Sequence, residues 1–409
     1  TEGLRGKGNV VLLNELQYDN VTIGNNEGIT FSKADLESLY DEANFEVLVA
    51  NLFHKNGQRP HWAFPYDIHR LRNGITVGVI GITVPYFLFY DLLGWKVADP
   101  WEVLPPLIKQ LKKKVDILIL LSHMGYHFDV EAASELDGID IIIGAHTHHL
   151  LQNGTRVKGT LIAQAGKFGN YDGQITISYD RELNQIVAAE ASCVPVATMK
   201  SDEKTEQLIH KLRFEGEQRL QQEVTRLSEP LPVSWYQSSP FSNLLVKSIK
   251  EWCNTEIAMV NAGVLLDGLP TGIVRKSDLH RVGPHPINPC IVRLSGSEIK
   301  EIIAQGLKTD MIELTFQGLG FRGKMMGAMV YDGIEFELEQ MSDGEKRARN
   351  IHIKGKPLQL KETYEIATID MFTFGRLYPA VAQAKEKRYF LPEMLRDLLE
   401  WKLSQNTNQ

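Results

Sequence analysis

The chain has 409 residues, of which 43% are hydrophobic and 23% are charged, a balance typical of a globular protein with about two domains. Its net charge of −7 argues against nucleic acid as a partner, because proteins that bind nucleic acid without sequence preference usually carry a basic face. No apolar run approaches the roughly 20 residues of a membrane-spanning helix, so no membrane contact is expected either.

The first half of the chain alternates predicted helices with predicted strands. Helices are predicted at 35–43 and 101–115. Continuous β-branched and aliphatic runs predict buried strands, at 45–52, 75–83, 116–122, 140–145, 160–166 and 174–180. Strands that alternate with helices indicate an α/β layered sheet.

The pattern changes near residue 198. The stretch 201–227 predicts one long solvated helix, because Ser201 and Asp202 are N-cap candidates and acidic residues fill its first turn. Beyond a turn-rich segment, further helices and strands are predicted, at 241–253, 256–263, 289–296, 333–340, 363–370 and 391–403. We therefore predict a first domain at 1–198, a helix and linker at 199–234, and a second domain at 235–409.

Polar side chains that suit a metal ion follow the ends of predicted strands in the first half. His123 follows one buried strand, and His146 and His148 follow the next. Asn25 comes directly after Gly24, where a short strand-like run stops. Ligands of open α/β sheets gather beyond the carboxyl ends of the strands. One such histidine alone is more simply explained as a hydrogen-bonded structural residue. Three of them predict a metal site, because imidazole is the commonest nitrogen ligand of metal ions.

The motifs VTIGNNEG, LSHMG and GAHTHH, in that order, resemble those of the calcineurin-like metallophosphoesterases. More narrowly, the chain is similar to the 5′-nucleotidase family, which includes UDP-sugar hydrolases and 2′,3′-cyclic phosphodiesterases. The similarity continues through AMVNAGVL, NPCIVRLSG and YEIATIDMF in the second half. The resemblance implies an α/β fold, with a four-layer αββα catalytic sandwich followed by a smaller α+β C-terminal domain.

The resemblance also implies two divalent metal ions, of manganese, zinc, cobalt or iron. Asn25, His123, His146 and His148 take four of the family's ligand positions, whereas His149 faces the other way in an extended segment. The other ligands belong to upstream D-x-H and G-D-x-x-D motifs that this sequence lacks. We therefore expect a missing N-terminal segment and an incomplete metal site in this chain.

The family's catalytic His–Asp pair is replaced in this sequence. Asn26 stands in place of the histidine, and Ile29 in place of its aspartate. Asn26 can donate a hydrogen bond to a phosphoryl oxygen, but it cannot release a proton near neutral pH. Because a positioned acid or base contributes about 10²–10⁴ in rate, we expect slower hydrolysis, or leaving groups that need no protonation. His127 is an alternative acid.

The resemblance places a nucleotide or a related small phosphate compound in the C-terminal domain, held by aromatic rings and arginines. Asn261 and Gly263 match part of the family's N-x-G-G-x-R, but its arginine is absent. Phe374, Arg376 and Tyr378 lie at the family's G-G-D-G-Y-P, with arginine in place of the aspartate. The two rings either stack on a base or belong to the core.

Two functions remain open at the level of sequence. The first is a metal-dependent phosphohydrolase of nucleotides or related esters and anhydrides. The second is a non-catalytic scaffold that binds a phosphorylated ligand or a metal. Cys193, Cys253 and Cys290 are too widely spaced for a zinc ribbon or a disulfide framework, so we predict thiols in or near the core. With no visible export signal, they indicate a cytoplasmic protein.

Overall fold

The computed structural model describes residues 2–316, 318–341, 345–375 and 377–405. They form two compact units, Thr1–Gly216 and Glu217–Gln409. The division falls within the segment 199–234 that the sequence assigns to a helix and linker. Among the described residues, no helix combines the length and apolar character that crossing a bilayer would require.

The first unit contains short helices between many strands. Its helices are α1 (Lys7–Glu15), α2 (Asn25–Thr30), α3 (Lys33–Leu39), α4 (Phe87–Leu92), α5 (Pro100–Leu111), α6 (Tyr126–Glu135) and α7 (Glu203–Leu220), the last of which extends into the second unit. Its strands are β1 (Asn20–Val21), β2 (Glu46–Leu48), β3 (Leu52–His54), β4 (Ala63–Phe64), β5 (Tyr66–Arg70), β6 (Thr76–Thr83), β7 (Trp95–Val97), β8 (Ile117–His123), β9 (Ile141–Gly144), β10 (Thr155–Val157), β11 (Thr160–Ala163), β12 (Tyr171–Asp180) and β13 (Gln185–Pro195).

The main sheet of the first unit has the order β10-β11-β9-β8-β6-β5. Its four central strands are parallel, and the two edge strands are antiparallel to them. A smaller parallel sheet, β1-β2-β4, and the ribbons β3–β7 and β12–β13 complete the unit. The core on the helical side of the main sheet joins β6 and β8 to α5 and α6 through aliphatic side chains, among them Ile80, Leu118, Leu120, Leu104, Ile108 and Ala132.

The second unit has its own hydrophobic core and a five-stranded sheet of order β18-β15-β22-β17-β23. Its remaining helices are α8 (Pro240–Cys253), α9 (Lys276–Val282), α10 (Gly296–Gly306), α11 (Thr309–Ile312), α12 (Pro379–Gln383) and α13 (Leu395–Gln405). Its strands are β14 (Glu223–Leu227), β15 (Ile257–Asn261), β16 (Gly272–Arg275), β17 (Pro289–Ser295), β18 (Met329–Asp332), β19 (Ile334–Gln340), β20 (Lys346–Ile353), β21 (Lys356–Pro357), β22 (Thr363–Ile369) and β23 (Lys387–Tyr389).

The α/β class predicted from the sequence is confirmed, and so are the buried, unbridged cysteines Cys193, Cys253 and Cys290. One predicted element is wrong. The helix predicted over 201–227 ends at Leu220, and its last five residues form β14, which pairs with β16. The β-branched Val224 and Thr225 are buried in β14, where strand packing outweighs the apolar stripe that suggested a helix.

Candidate metal and phosphate site

The carboxyl ends of β8 and β9 bring the predicted histidines to one edge of the main sheet. His123 is the last residue of β8, and Ser122 pairs in register with Gly144, the last residue of β9. His146 follows Gly144 by two residues. Parallel pairing therefore places both imidazoles beyond the same edge, as the sequence predicts.

Asn25 is the point at which these side chains converge. Its Oδ1 lies 3.1 Å from Nε2 of His123 and 3.1 Å from Nδ1 of His146. The rings of the two histidines are 5.2 Å apart, at an interplanar angle of 63°. Three residues separated by up to 121 positions thus share one polar centre, which we call the Asn–His cluster.

Asn25 is placed by the first turn of α2. Gly24 is the N-cap residue, with extended backbone, and its N–H donates to Oε2 of Glu27 at 2.9 Å. A Cβ at Gly24 would lie 2.6 Å from Cε1 of His123, so only glycine leaves room for the ring. Behind the turn, Gly28 packs against the hydroxyl of the buried Tyr90. The chain here is helical, where the sequence suggested only a strand followed by a turn.

The loop after β9 holds its histidines in an uncommon conformation. His146 has φ 69° and His148 has φ 57°, the left-handed region that non-glycine residues seldom adopt. Thr147 anchors the loop, because its Oγ1 accepts the N–H of Tyr126 at 3.0 Å and contacts Nδ1 of His149 at 2.9 Å. Backbone strain of this kind concentrates at functional sites.

His149 does not join the Asn–His cluster. Its ring packs on Tyr126, with the ring centroids 4.8 Å apart. Its N–H donates to Oε1 of Gln164 at 3.2 Å, and Nε2 of Gln164 donates to Oδ2 of the fully buried Asp129 at 2.9 Å. Burial raises the pKa of Asp129 to about 6. Asp129 and Gln164 therefore hold the backbone of the histidine loop through His149. The sequence analysis did not identify this role.

Burial keeps the cluster histidines neutral. Desolvation, followed by the charges of His146 and His148, lowers the pKa of His123 to about 4. Desolvation and the charge of His148 also lower the pKa of His146. His148 is exposed and lies near enough to act on both rings, although it makes no hydrogen bond with either that the structure shows. At neutral pH the cluster imidazoles are uncharged, the form in which they ligate metals.

Tyr86 also belongs to this site, and the sequence analysis missed it. Its hydroxyl lies 3.4 Å from Nε2 of His146, and the two rings are 6.2 Å apart. Burial raises the pKa of Tyr86, so the phenol stays protonated. Its short segment, VPYFLFYDL, carries no motif that could have singled it out.

The geometry of the cluster fits part of a metal coordination sphere. Two ligands that each lie about 2.1 Å from one ion are roughly 3.0–3.4 Å apart in octahedral or tetrahedral geometry. The 3.1 Å separations from Asn25 Oδ1 to the two imidazole nitrogens fall in this range. Within the described ranges, no three His, Cys, Asp or Glu side chains are grouped to hold an ion, so His148 is not grouped with His123 and His146 as a third donor. The metal role predicted for His148 stays a prediction.

Asn26 and Ile29 lie on α2 next to the cluster. Asn26 is exposed and its carbonyl accepts the hydroxyl of Thr30, whereas Ile29 is half-buried. His127, the alternative acid, is exposed on α6, and its ring lies 6.4 Å from that of Tyr126. The structure shows no contact between His127 and the Asn–His cluster. The catalytic role predicted for Asn26 stays a prediction.

The substrate-binding residues predicted in the second unit lie in different environments. Asn261 is fully buried and donates to the carbonyl of Met326 at 2.6 Å, and a Cβ at Gly263 would lie 2.0 Å from the carbonyl oxygen of Met325. Tyr378 is buried against Phe372, with ring centroids 4.8 Å apart, which corresponds to the core alternative.

The remaining two predicted contacts differ again. Phe374 is 42% exposed and keeps an accessible ring. Arg376 lies outside the described residues. The substrate role of this set stays a prediction.

Comparison with known proteins extends the resemblance to the whole chain. The family described as 5′-nucleotidase, C-terminal domain, matches residues 223–383. The protein called uncharacterized metallophosphoesterase YunD, from Bacillus subtilis, is 45% identical over 406 residues, which cover 99% of this chain and 88% of YunD.

Two solved structures share the fold. A putative 5′-nucleotidase from Staphylococcus aureus, in complex with alpha-ketoglutarate, has a TM-score of 0.65 and 22% identity, and the match covers 97% of this chain and 82% of that one. NAD nucleotidase from Haemophilus influenzae has a TM-score of 0.65 and 15% identity, over 99% and 85% of the two chains. Together with the YunD match, these findings show that the chain belongs to the 5′-nucleotidase family of calcineurin-like metallophosphoesterases.

Proposed function

We propose that the protein is a metal-dependent phosphohydrolase that acts on nucleotides or on related phosphate esters and anhydrides. The observation that carries the proposal is the convergence of Asn25 Oδ1 with His123 Nε2 and His146 Nδ1 at the carboxyl edge of the main sheet. A half-buried cluster of two neutral imidazoles and an amide is poorly explained by stability alone, because removing polar groups from water costs free energy. The names of the related proteins support the same class of reaction.

In this proposal, the residues of the chain hold the metal ions and orient the phosphoryl group. Divalent ions bound here would supply positive charge for the phosphoryl oxygens and would lower the pKa of water. His123 and His146 offer lone pairs because their pKa values are lowered. With Oδ1 of Asn25 turned to the histidines, its Nδ2 is available to donate to a phosphoryl oxygen.

Asn26 sets the expected limits of catalysis. Asn26 is exposed in the first turn of α2, and its amide can donate a hydrogen bond to a phosphoryl oxygen. The amide does not release a proton near neutral pH, so it cannot protonate a leaving oxygen. We therefore propose slower turnover than in family members with the His–Asp pair. Leaving groups that are already stable as anions, such as the phosphate of a pyrophosphate bond, are expected to react best.

A non-catalytic scaffold that binds a phosphorylated ligand or a metal is the second candidate. The observation that favours it is the replacement of both members of the family's proton-handling pair, by Asn26 and Ile29. The observation against it is the retained Asn–His cluster, because a scaffold that binds only a phosphorylated ligand needs no such convergence of donors.

The two candidates differ in turnover of an activated ester. We would measure hydrolysis of bis(4-nitrophenyl) phosphate by the complete protein with Mn²⁺, Co²⁺ or Zn²⁺, and compare AMP with ADP. The hydrolase proposal predicts metal-dependent turnover, lost in His146→Ala and retained in His210→Ala. His210 is an exposed histidine on α7 and serves as the matched control. Metal binding without turnover of any of these compounds would favour the scaffold.

A further inference from the structure

The two ring nitrogens of His146 face different partners. Nδ1 lies 3.1 Å from Oδ1 of Asn25, within the Asn–His cluster. Nε2 lies 3.4 Å from the hydroxyl of Tyr86. A neutral imidazole carries one proton, so the partner of Nε2 decides whether Nδ1 presents a lone pair or an N–H.

A hydroxyl suits both protonation patterns of this ring. Without a metal, Nδ1–H donates to Oδ1 of Asn25, and Nε2 then accepts the O–H of Tyr86. If Nδ1 held a metal ion, the ring proton would lie on Nε2, and Nε2–H would donate to the oxygen of Tyr86. Tyr86 can serve in both states because a phenol both donates and accepts, which a phenylalanine ring cannot do.

The position of Tyr86 is tied to that of Asn25. Tyr86 is the N-cap residue of α4, and its carbonyl accepts the N–H of Tyr90 at 3.0 Å. The hydroxyl of Tyr90 in turn lies against Gly28 of α2, where a Cβ would come within 1.9 Å, and 3.3 Å from Oγ1 of Thr83. Tyr90 therefore packs α4, which carries Tyr86, directly on α2, which carries Asn25.

We propose that Tyr86 is a positioning residue for His146. In both protonation patterns its hydroxyl keeps the ring turned so that Nδ1 faces Asn25, and it would accept from Nε2–H when Nδ1 holds a metal ion. The inference rests on the proposed function, since it requires a metal ion at the Asn–His cluster. Loss of a hydrogen-bond partner behind a ligating histidine typically weakens metal affinity about 10–100-fold.

The test compares two tyrosine-to-phenylalanine variants in the complete chain. Tyr86→Phe removes only the hydroxyl that faces His146. Tyr126→Phe removes the hydroxyl of a tyrosine whose ring packs on His149 of the same loop, and it serves as the matched control. We would measure Mn²⁺ and Zn²⁺ affinity by calorimetry, and hydrolysis of bis(4-nitrophenyl) phosphate as a function of metal concentration.

We expect Tyr86→Phe to bind Mn²⁺ and Zn²⁺ about 10–100-fold more weakly, with turnover restored toward that of the wild type at saturating metal. Tyr126→Phe is expected to keep the wild-type affinity. In Zn²⁺-loaded protein, nitrogen-15 spectra should show a slowly exchanging Nε2–H on His146 in the wild type and a fast-exchanging one in Tyr86→Phe. The exchange rate would not change if Tyr86 only filled space.

The outcomes separate this inference from the proposed function. Equal metal affinity and equal exchange rates in wild type and Tyr86→Phe overturn the inference alone. Weaker affinity in Tyr86→Phe, in a wild type that binds metal without hydrolysing any ester, supports the inference and overturns the hydrolase proposal. A complete wild-type protein that binds neither metal overturns both.

Discussion

The imidazole of His123 packs directly against the backbone of Gly24, because a Cβ on that glycine would lie 2.6 Å from Cε1 of the ring. Gly24 adopts extended backbone with φ −96°, which any residue can adopt. The glycine is therefore required by the close approach of the ring and not by its own conformation. The contact joins the start of α2 to the end of β8, and it sets the distance from His123 to Asn25.

Gly24→Ala tests this contact without backbone strain. We expect the added methyl group to displace His123 and to lower metal affinity and turnover by about 10–100-fold, since small misplacements of reacting groups have effects of this size. Calorimetry with Mn²⁺ and an ester-hydrolysis assay would measure both. Gly216→Ala, where the new Cβ meets nothing closer than 3.6 Å, is the control. Unchanged metal affinity in Gly24→Ala would show that the ring has room to move.

Restoring the family's His–Asp pair should raise turnover. Positions 26 and 29 are three residues apart on α2, so their side chains lie on one face of the helix. Asn26→His with Ile29→Asp supplies a group that can protonate a leaving oxygen and a carboxylate that orients it. We expect kcat to rise by about 10²-fold for AMP and little for bis(4-nitrophenyl) phosphate, whose leaving group needs no proton.

The single variants provide the control for that gain. Asn26→His alone is expected to give part of it, and Ile29→Asp alone none. An equal increase for good and poor leaving groups would contradict proton donation as its cause. No increase for either compound would show that position 26 does not face the leaving group.

The buried strands of the first unit could be predicted because each is a continuous run of aliphatic residues. The run 75–83 is β6 (Thr76–Thr83), and the run 116–122 is β8 (Ile117–His123). The sequence misplaced β14 because Leu220, Val224 and Leu227 continue the spacing of the preceding helix. Only the partner strand β16, about fifty residues later in the chain, decides that this segment is extended.

The candidate site shows the same distinction between local and long-range information. His123, His146 and Asn25 follow strand ends in the sequence, so their convergence could be predicted. Tyr86 could not, because its relation to His146 spans 60 residues and depends on how α4 packs on α2. Asp129 was hidden for a similar reason, since it supports the loop through Gln164, and neither residue belongs to a metal-binding motif.

Asp370 gives the second unit a pH-dependent stability. The residue is 5% exposed at the end of β22, and burial raises the pKa of its carboxyl to about 7. The unfolded chain releases this proton near pH 3.8, whereas the folded unit keeps it until about pH 7. Because the folded state binds more protons in this window, stability falls as pH rises from about 4 to 7 and is constant beyond it.

Asp370→Asn should remove that slope. An amide has nearly the same shape and stays neutral, so we expect the variant to match the wild type near pH 4 and to exceed its stability at pH 8. Urea unfolding at a series of pH values, with hydrogen exchange of the β22 amides as the local probe, would measure the difference. Parallel curves for the two proteins across this range would contradict a raised pKa at Asp370.

The left-handed conformation of His148 predicts a conflict between stability and function in the loop after β9. At φ 57°, a residue with a Cβ costs roughly 1–2 kcal/mol relative to one without it. His148→Gly removes both the imidazole and the Cβ, whereas His148→Ala removes only the imidazole. We expect both variants to lose metal affinity and turnover equally, but the glycine variant to be more stable than the alanine variant by about 1 kcal/mol. A difference of this size corresponds to roughly 2–4 °C in Tm for a unit of about 200 residues.

Equal melting temperatures of the two variants would contradict this prediction. They would mean that the loop relaxes once the imidazole is gone, and that the histidine itself maintains the strained turn.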